Sequence, residues 1–337
     1  MKVDTTTGTF LPDVPAAAKA AEAAGYDGLW TAETSHDPFM PHVLAAEHTE
    51  SITLGTSIAV AFARNPMLLA NIGYDLNAYS GGRFVLGLGS QIKPHITKRF
   101  SMEWSKPAAR MKEMIQAIRA IWDCWNNETR LDFRGDFYTH TIMTPFFNPG
   151  PNPHGDARIM IAGVGPLMTK VAGEVCDGFL VHGFTTEQYL KEVTIPALEE
   201  GMAAGGRSRE DFEISYPAFI VTGETEEQME ANAAGVRGQI SFYGSTPAYR
   251  GVLEHHGWGD LQTVLNNMSK QGEWVEMAKL IDDDILQTFA VVAEPDQVAS
   301  ELTARYGSTV DRLSFYAPYA TAADFWTPIV EDLQRAA

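Results

Sequence analysis

The sequence predicts an α/β fold: a (β/α)8 barrel of the TIM type, enlarged by insertions. Three observations point to it. Eight short apolar runs recur along the 337 residues. They are β-branched or aromatic and hardly alternate, as strands covered on both faces do. Amphipathic helical patterns lie between them, and that succession argues for a closed barrel over an open sheet.

The first run is 2-KVDT-5. It precedes 13-DVPAAAKAAEAAG-25, a helix with Asp13 as its cap and Gly25 as its stop. The next runs are 27-DGLWTAE-33, 52-ITLGTSIAVA-61 and 83-RFVLGLG-89. A helix over 107–125 opens with Pro107 and places apolar residues three and four apart. Residues 126–157 are rich in Pro, Gly and Asn and read as a long loop, with a hairpin around Arg134-Gly135. Then come 158-RIMIAG-163, 178-GFLVHG-183 and 213-EISYPAFIVT-222. A helical insertion at about 237–290 follows, carrying the aromatic cluster 242-FYGSTPAYRGVLEHHGW-258. The helix 295–307 and the run 312-RLSFYAP-318 close the series. The chain reads as one domain over 1–337, with the insertion folded over the C-terminal mouth.

Composition excludes several functions. The net charge is -18 and the pI about 4.8. Such a surface repels nucleic acid and anionic lipid, so neither is an expected partner. Cys124 and Cys176 alone make no disulfide framework. The N-terminal segment shows no signal peptide, and no run approaches the ~18 apolar residues of a membrane span. A cytoplasmic protein is expected. There is no H-E-x-x-H, C-x-x-C, G-x-S-x-G or Walker loop, and no metal site is expected. Gly87 and Gly89 suggest a dinucleotide fingerprint, but its third glycine falls on Ile92, with Pro94 just beyond. In a barrel these glycines instead leave room for a ligand or a loop near the backbone.

Chemistry in such a barrel gathers at the C-terminal ends of the strands. After the second run, 33-ETSHDPFMP-41 places Glu33, His36 and Asp37 within one turn. A histidine between carboxylates can serve as acid or base near neutral pH. Asp37 can equally cap a helix that begins with Pro38. Small residues dominate 55-GTSIAVAFARNP-66, which suits a flat ligand or tight barrel packing. In 161-IAGVGPLMTKVAG-173 a strand runs into a turn at Gly163, Val164 and Gly165. Pro166, Leu167 and Met168 then open a helix whose free amides can bind phosphate. The stretch 93-KPHITKR-99 gathers Lys93, His95, Lys98 and Arg99, either at the catalytic face or as a solvated patch.

These residues carry a resemblance over nearly the whole chain. 25-GYDGLWTAE-33, 53-TLGTSIAVAFARNP-66, 80-SGGRFVLGLG-89, 107-PAARMKE-113, 161-IAGVGP-166 and 172-AGEVCDGF-179 follow in the order of the bacterial luciferase-like flavin and deazaflavin oxidoreductases. The stretch 89-GSQIKPHITKRFS-101 is similar to members that use the deazaflavin coenzyme F420. The resemblance implies a ring cofactor at the barrel mouth, backed by a bulge with a non-prolyl cis peptide; the matching bond is Ser57-Ile58. It implies hydride transfer between the deazaflavin C5 and a small organic substrate. Glu33 matches the family acid. The next position, often His in the family, is Thr34, so His36 becomes the expected catalytic partner of Glu33. Cofactor contacts are expected from Glu33, Ser57, Ile58, Gly89, Ser90, Lys93, His95 and Gly163 through Met168. Lys93 and His95 would meet the phosphate, Lys98 and Arg99 the anionic tail. Sugar-phosphate-oxidising members carry a Glu near the place of Ile92 and a Lys where this chain reads 182-HGFTT-186, which disfavours that substrate. An FMN-dependent monooxygenase on the same barrel and a non-catalytic flavin-binding protein stay open as alternatives, as does a homodimer.

Overall fold

The eight predicted runs become eight parallel strands joined in a ring. The computed structural model describes residues 1–322 and 324–335. The strands are β1 (Lys2–Thr6), β2 (Gly28–Thr31), β3 (Thr53–Thr56) and β4 (Phe84–Gly89), then β5 (Arg158–Gly163), β6 (Gly178–Val181), β7 (Glu213–Val221) and β8 (Arg312–Tyr316). Each pairs with the next. β8 returns to β1, with Val3 opposite Leu313, and closes the barrel.

One expected strand is broken. The run 52–61 ends as a strand at Thr56, bends through Ser57-Ile58, and resumes at Ala59–Val60, opposite Leu88 and Gly89 of β4. The Ser57-Ile58 peptide is cis.

Inside the barrel, Asp4 and Arg312 form a buried two-point ion pair at 2.6 and 2.8 Å near the N-terminal ends of the strands. Above them Trp30, Val85, Met160 and Leu180 pack as an apolar layer. Outside, helices seal the strands. Pro107–Asn127 buries Met111, Met114, Ile115, Ile118, Ile121 and Trp122, the spacing of one helix face. The expected hairpin pairs Phe133–Arg134 with Thr139–His140. The first helix spans Val14–Ala23; Gly25 is left-handed beyond its end, but the Asp13 side chain makes no capping bond, because the chain enters through a 3-10 turn at Leu11–Asp13.

The helical excursion after β7 begins before residue 237. Its first helix spans Glu226–Gly244. Thr225 accepts from the Gln228 N–H and the Gln228 side chain accepts from the Glu224 N–H, a reciprocal cap that starts the helix there. Further helices are Arg250–His255, Gly259–Gln271, Trp274–Ala278 and Asp283–Phe289. The strand Ala290–Val292 then lies beside Phe219–Val221 of β7. A second apolar cluster joins this excursion to the barrel, with Phe184 stacked on Phe289 at 4.7 Å. No helix among the described residues is long and apolar enough to cross a membrane.

Candidate active site

A cavity of about 560 Å³ opens at the C-terminal ends of the strands, within the ~300–1,000 Å³ usual for ligand pockets. Its floor is the top of the inner apolar layer, Trp30 and Leu180, joined by Ala162.

One wall is main chain held in place. The Glu33 N–H donates to the Ile58 carbonyl at 3.1 Å. Its Oε2 accepts from the Val60 N–H at 2.7 Å and from Arg64 Nη1 at 2.6 Å, while Arg64 also donates to the Val60 carbonyl at 3.0 Å. The carboxylate and guanidinium thus clamp the N–H and the carbonyl of Val60, just past the break after β3. The pair is only 6% and 16% exposed, so it is screened less than a surface pair. From behind, Thr56 Oγ1 donates to the Gly87 carbonyl and accepts its N–H. A Cβ on Gly87 would lie 1.6 Å from the Thr56 carbonyl oxygen; one on Gly89 would lie 2.8 Å from the Ile58 side chain. The two glycines of β4 therefore make room for the neighbouring strand's bulge, the loop-approach alternative of the sequence reading.

The opposite wall is aromatic and hydroxylic. His182 directly follows β6, and its Nδ1 accepts from the Phe184 N–H at 3.0 Å. The proton of the neutral ring therefore sits on Nε2, 3.3 Å from the Tyr249 hydroxyl. Burial pushes His182 down to about 4, so the ring is neutral at pH 7. Tyr243, from the helical excursion, packs edge-on against His182 at 4.8 Å and shares a 2.6 Å hydroxyl–hydroxyl bond with Tyr316 of β8. Burial, and then Tyr243, raise the Tyr316 hydroxyl above its ordinary range; burial pushes Tyr249 up to about 12.

At the rim, helix Pro166–Val175 begins after β5. Its N-cap Gly165 provides no side-chain bond, and Gly165, Pro166 and Leu167 are exposed. Beyond β4 the chain is irregular: Gln91, Ser101 and Lys106 are left-handed, and Gln91 lines the cavity.

The family described as luciferase-like monooxygenase matches residues 2–312. The chain belongs to that family. A Mycobacterium tuberculosis relative, named only as an uncharacterized protein, is 53% identical over 313 residues, covering 93% of this chain and 92% of its own. The 5,10-methylenetetrahydromethanopterin reductase of Archaeoglobus fulgidus is 28% identical over 292 residues, covering 84% and 83%. Among solved structures, the coenzyme F420 dependent tetrahydromethanopterin reductase from Methanopyrus kandleri matches with a TM-score of 0.80 at 18% identity, covering 100% of this chain and 98% of that one. At that identity the likeness speaks for the fold.

In this luciferase-like barrel the predicted site residues separate. Glu33, Ser57 and Ile58 line the cavity. Gly89 is buried behind Ile58, and Ser90 is turned to the Gln91 carbonyl at 3.2 Å. Gly163, half-buried, is covered by the Met168 side chain; Val164 is half-buried beside it. Lys93, His95 and Lys98 are exposed on the rim, whereas Arg99 donates to the Thr34 carbonyl and is tied to the loop after β2. His36 lies outside the main cavity. It is exposed in a side pocket of about 300 Å³ with Phe10 and Met40, and Thr9 is the residue common to both spaces. Asp37 Oδ1 accepts from the Phe39 and Met40 N–H groups, so it satisfies free amides as a capping residue does, but the helix begins at Met40, two residues later than expected, with Phe39 at its N-cap.

Sequence reasoning passed over His182, Tyr243, Tyr249, Tyr316 and Gln91. A signal existed for His182: it ends the sixth apolar run, the catalytic side of a barrel strand. Tyr243 and Tyr249 stood inside the aromatic cluster 242–258. Nothing local in the sequence pairs Tyr243 with Tyr316.

Proposed function

We propose that this chain is a coenzyme F420-dependent oxidoreductase acting on a small organic substrate. The observation that carries the reading is the mouth cavity itself. It is lined by the backbone wall at Ser57-Ile58 and, at the end of β5, by Ala162; the helix whose N-terminus lacks a side-chain cap begins four residues further on, at Pro166, and does not itself line the cavity. The residues suit the coenzyme's parts. Ile58, Ala162 and Leu180 supply apolar surface for a flat ring. The amides opening Pro166–Val175 supply donors for a phosphodiester. β4 and β5 are neighbours, so the segments that follow them share one side of the rim. There Lys93 and Lys98 pair with no carboxylate among the described residues, which fits an anionic tail. A Mycobacterium tuberculosis relative named as a putative coenzyme F420-dependent oxidoreductase, 29% identical over 300 residues, adds support.

Bound F420 would supply a hydride donor and acceptor at C5. The chain's own residues do the rest. Glu33 and Arg64 hold the bulge, and through it Ile58, in one position. Tyr243 narrows the mouth from the excursion side and limits water. Glu33, with one oxygen committed to Val60 and Arg64, is the proposed proton-handling group on the cavity; His36 lies outside it and could act only through the side pocket that meets the cavity at Thr9. The charge of -18 supports a small molecule, not nucleic acid or an anionic membrane, as partner.

Fluorescence titration of the apoprotein with F420 and, separately, FMN tests the reading. We expect F420 to bind at least tenfold more tightly. FMN binding equal to or tighter than F420 would overturn it in favour of the monooxygenase alternative.

A further inference from the structure

The wall made by β6, β8 and the helical excursion is polar without being charged. Glu33 is the one charged side chain on the cavity among the described residues, and Arg64 neutralises it. No lysine or arginine lines the space. A carboxylate or phosphate on a substrate would lose its water there and meet no cation, an expensive arrangement. A neutral oxygen is different, because hydroxyls face it.

The donors are not equivalent. The His182 Nε2–H is directed at the Tyr249 hydroxyl, so its hydrogen is already engaged. In the Tyr243–Tyr316 bond one hydroxyl donates and the other accepts. The accepting hydroxyl keeps its own O–H, and the pair keeps lone pairs. Both tyrosines line the cavity, and burial keeps the Tyr316 hydroxyl protonated. The pair therefore offers one donor and an acceptor side by side, from β8 and from the excursion.

We infer that the substrate of this site is an uncharged carbonyl compound, or the alcohol related to it, whose oxygen is held by the Tyr243–Tyr316 hydroxyl pair. A carbonyl takes the free O–H; the alcohol donates to a lone pair and accepts the same O–H. This rests on the oxidoreductase reading above.

The test uses the full chain in two arms. First, F420 is titrated into wild type, Tyr316→Phe and Tyr243→Phe/Tyr316→Phe. Failure of wild type to bind F420 sinks the oxidoreductase reading itself. Second, the F420-loaded proteins are titrated with cyclohexanone and with cyclohexanecarboxylate, followed by saturation-transfer NMR. We expect the ketone to bind wild type at least tenfold better than the carboxylate. The double variant should lose about three- to tenfold of ketone affinity, the scale of one neutral hydrogen bond, and Tyr316→Phe less. F420 affinity in both variants should stay within twofold, which also reports that they fold. Equal binding of the carboxylate, absent ketone binding, or unchanged ketone affinity in the double variant overturns the inference. A drop in F420 affinity without a drop in ketone affinity overturns it too, and makes the pair a cofactor contact.

Discussion

The two walls of the mouth are built on different principles. The wall from β2 to β4 is local: Glu33, Thr56, Ser57, Ile58, Arg64, Gly87 and Gly89 interlock through backbone bonds and one shielded ion pair. The wall from β6 to β8 is assembled at a distance. His182, Tyr243, Tyr249 and Tyr316 come from two strands and an excursion, and they meet through ring packing and hydroxyls. The first arrangement leaves no room for a Cβ at Gly87 or Gly89. The second can exchange one side chain for another of similar volume. Under the function proposed above, the first wall would keep the ring cofactor and the second would choose the substrate.

The largest expected effect breaks the first wall. Gly87→Ala puts a Cβ against the Thr56 carbonyl, a backbone atom that cannot swing away. We expect a loss above ~3 kcal/mol, beyond the ~1–3 kcal/mol usual for overpacking, with F420 binding abolished. Urea unfolding and the cofactor titration measure both. A well-folded Gly87→Ala that binds normally would remove the bulge from the argument.

Next comes the clamp. Arg64→Met leaves the Glu33 carboxylate in its shielded site with the Val60 N–H alone. Removing one partner of a buried pair costs ~3–5 kcal/mol; with 16% of Arg64 exposed, about 3 kcal/mol is expected. A change below ~1 kcal/mol in the unfolding midpoint would make the pair incidental.

The second wall is sharpened by acid. His182 is pushed down to about 4 by burial, below its ordinary ~6.5. Its neutral form is the one the fold favours. The associated stability is complete above pH ~6.5 and fades as pH falls toward 4, because the unfolded chain binds the proton first; about 3 kcal/mol is at stake. His42, buried behind β2 and pushed down to about 3, adds a further decline in the same direction. His182→Asn keeps an acceptor for the Phe184 N–H and should flatten the slope between pH 6.5 and 4. His36→Ala, on the exposed rim, should shift the pH 7 midpoint by less than ~0.5 kcal/mol. If unfolding of His182→Asn keeps the wild-type slope, burial of that ring is not what drives the acid limb.

The smallest effect lies on the rim. Lys93→Ser/Lys98→Ser should weaken F420 more than its tail-less precursor, by about 1 kcal/mol or less, and only at low salt. Arg99 is left out because it serves the Thr34 carbonyl. An unchanged preference for the long tail across a salt series would make the two lysines a solvated patch.

The strand set was legible because barrel strands are buried on both faces, and unbroken apolar runs such as 158–163 and 178–183 record that burial directly. The first wall was legible for a related reason: its residues sit within short segments, and G-x-G in β4 answers T-S-I at the end of β3 and in the break beyond it, through neighbouring chain segments. What the sequence alone determined, then, was the barrel, the end at which its cavity opens and the backbone wall of the mouth. Which side chains share the cavity was decided only in three dimensions. His36 looked central because it lies three residues from Glu33, yet the chain turns it outward to the rim. His182 and Tyr316 stand far apart in the chain, and Tyr243 comes from an excursion between them, but closing the ring brings all three to one wall. The physical reason is that burial, tautomer and hydroxyl partner are properties of what surrounds a side chain. At a barrel mouth those surroundings come from strand ends that are remote in sequence.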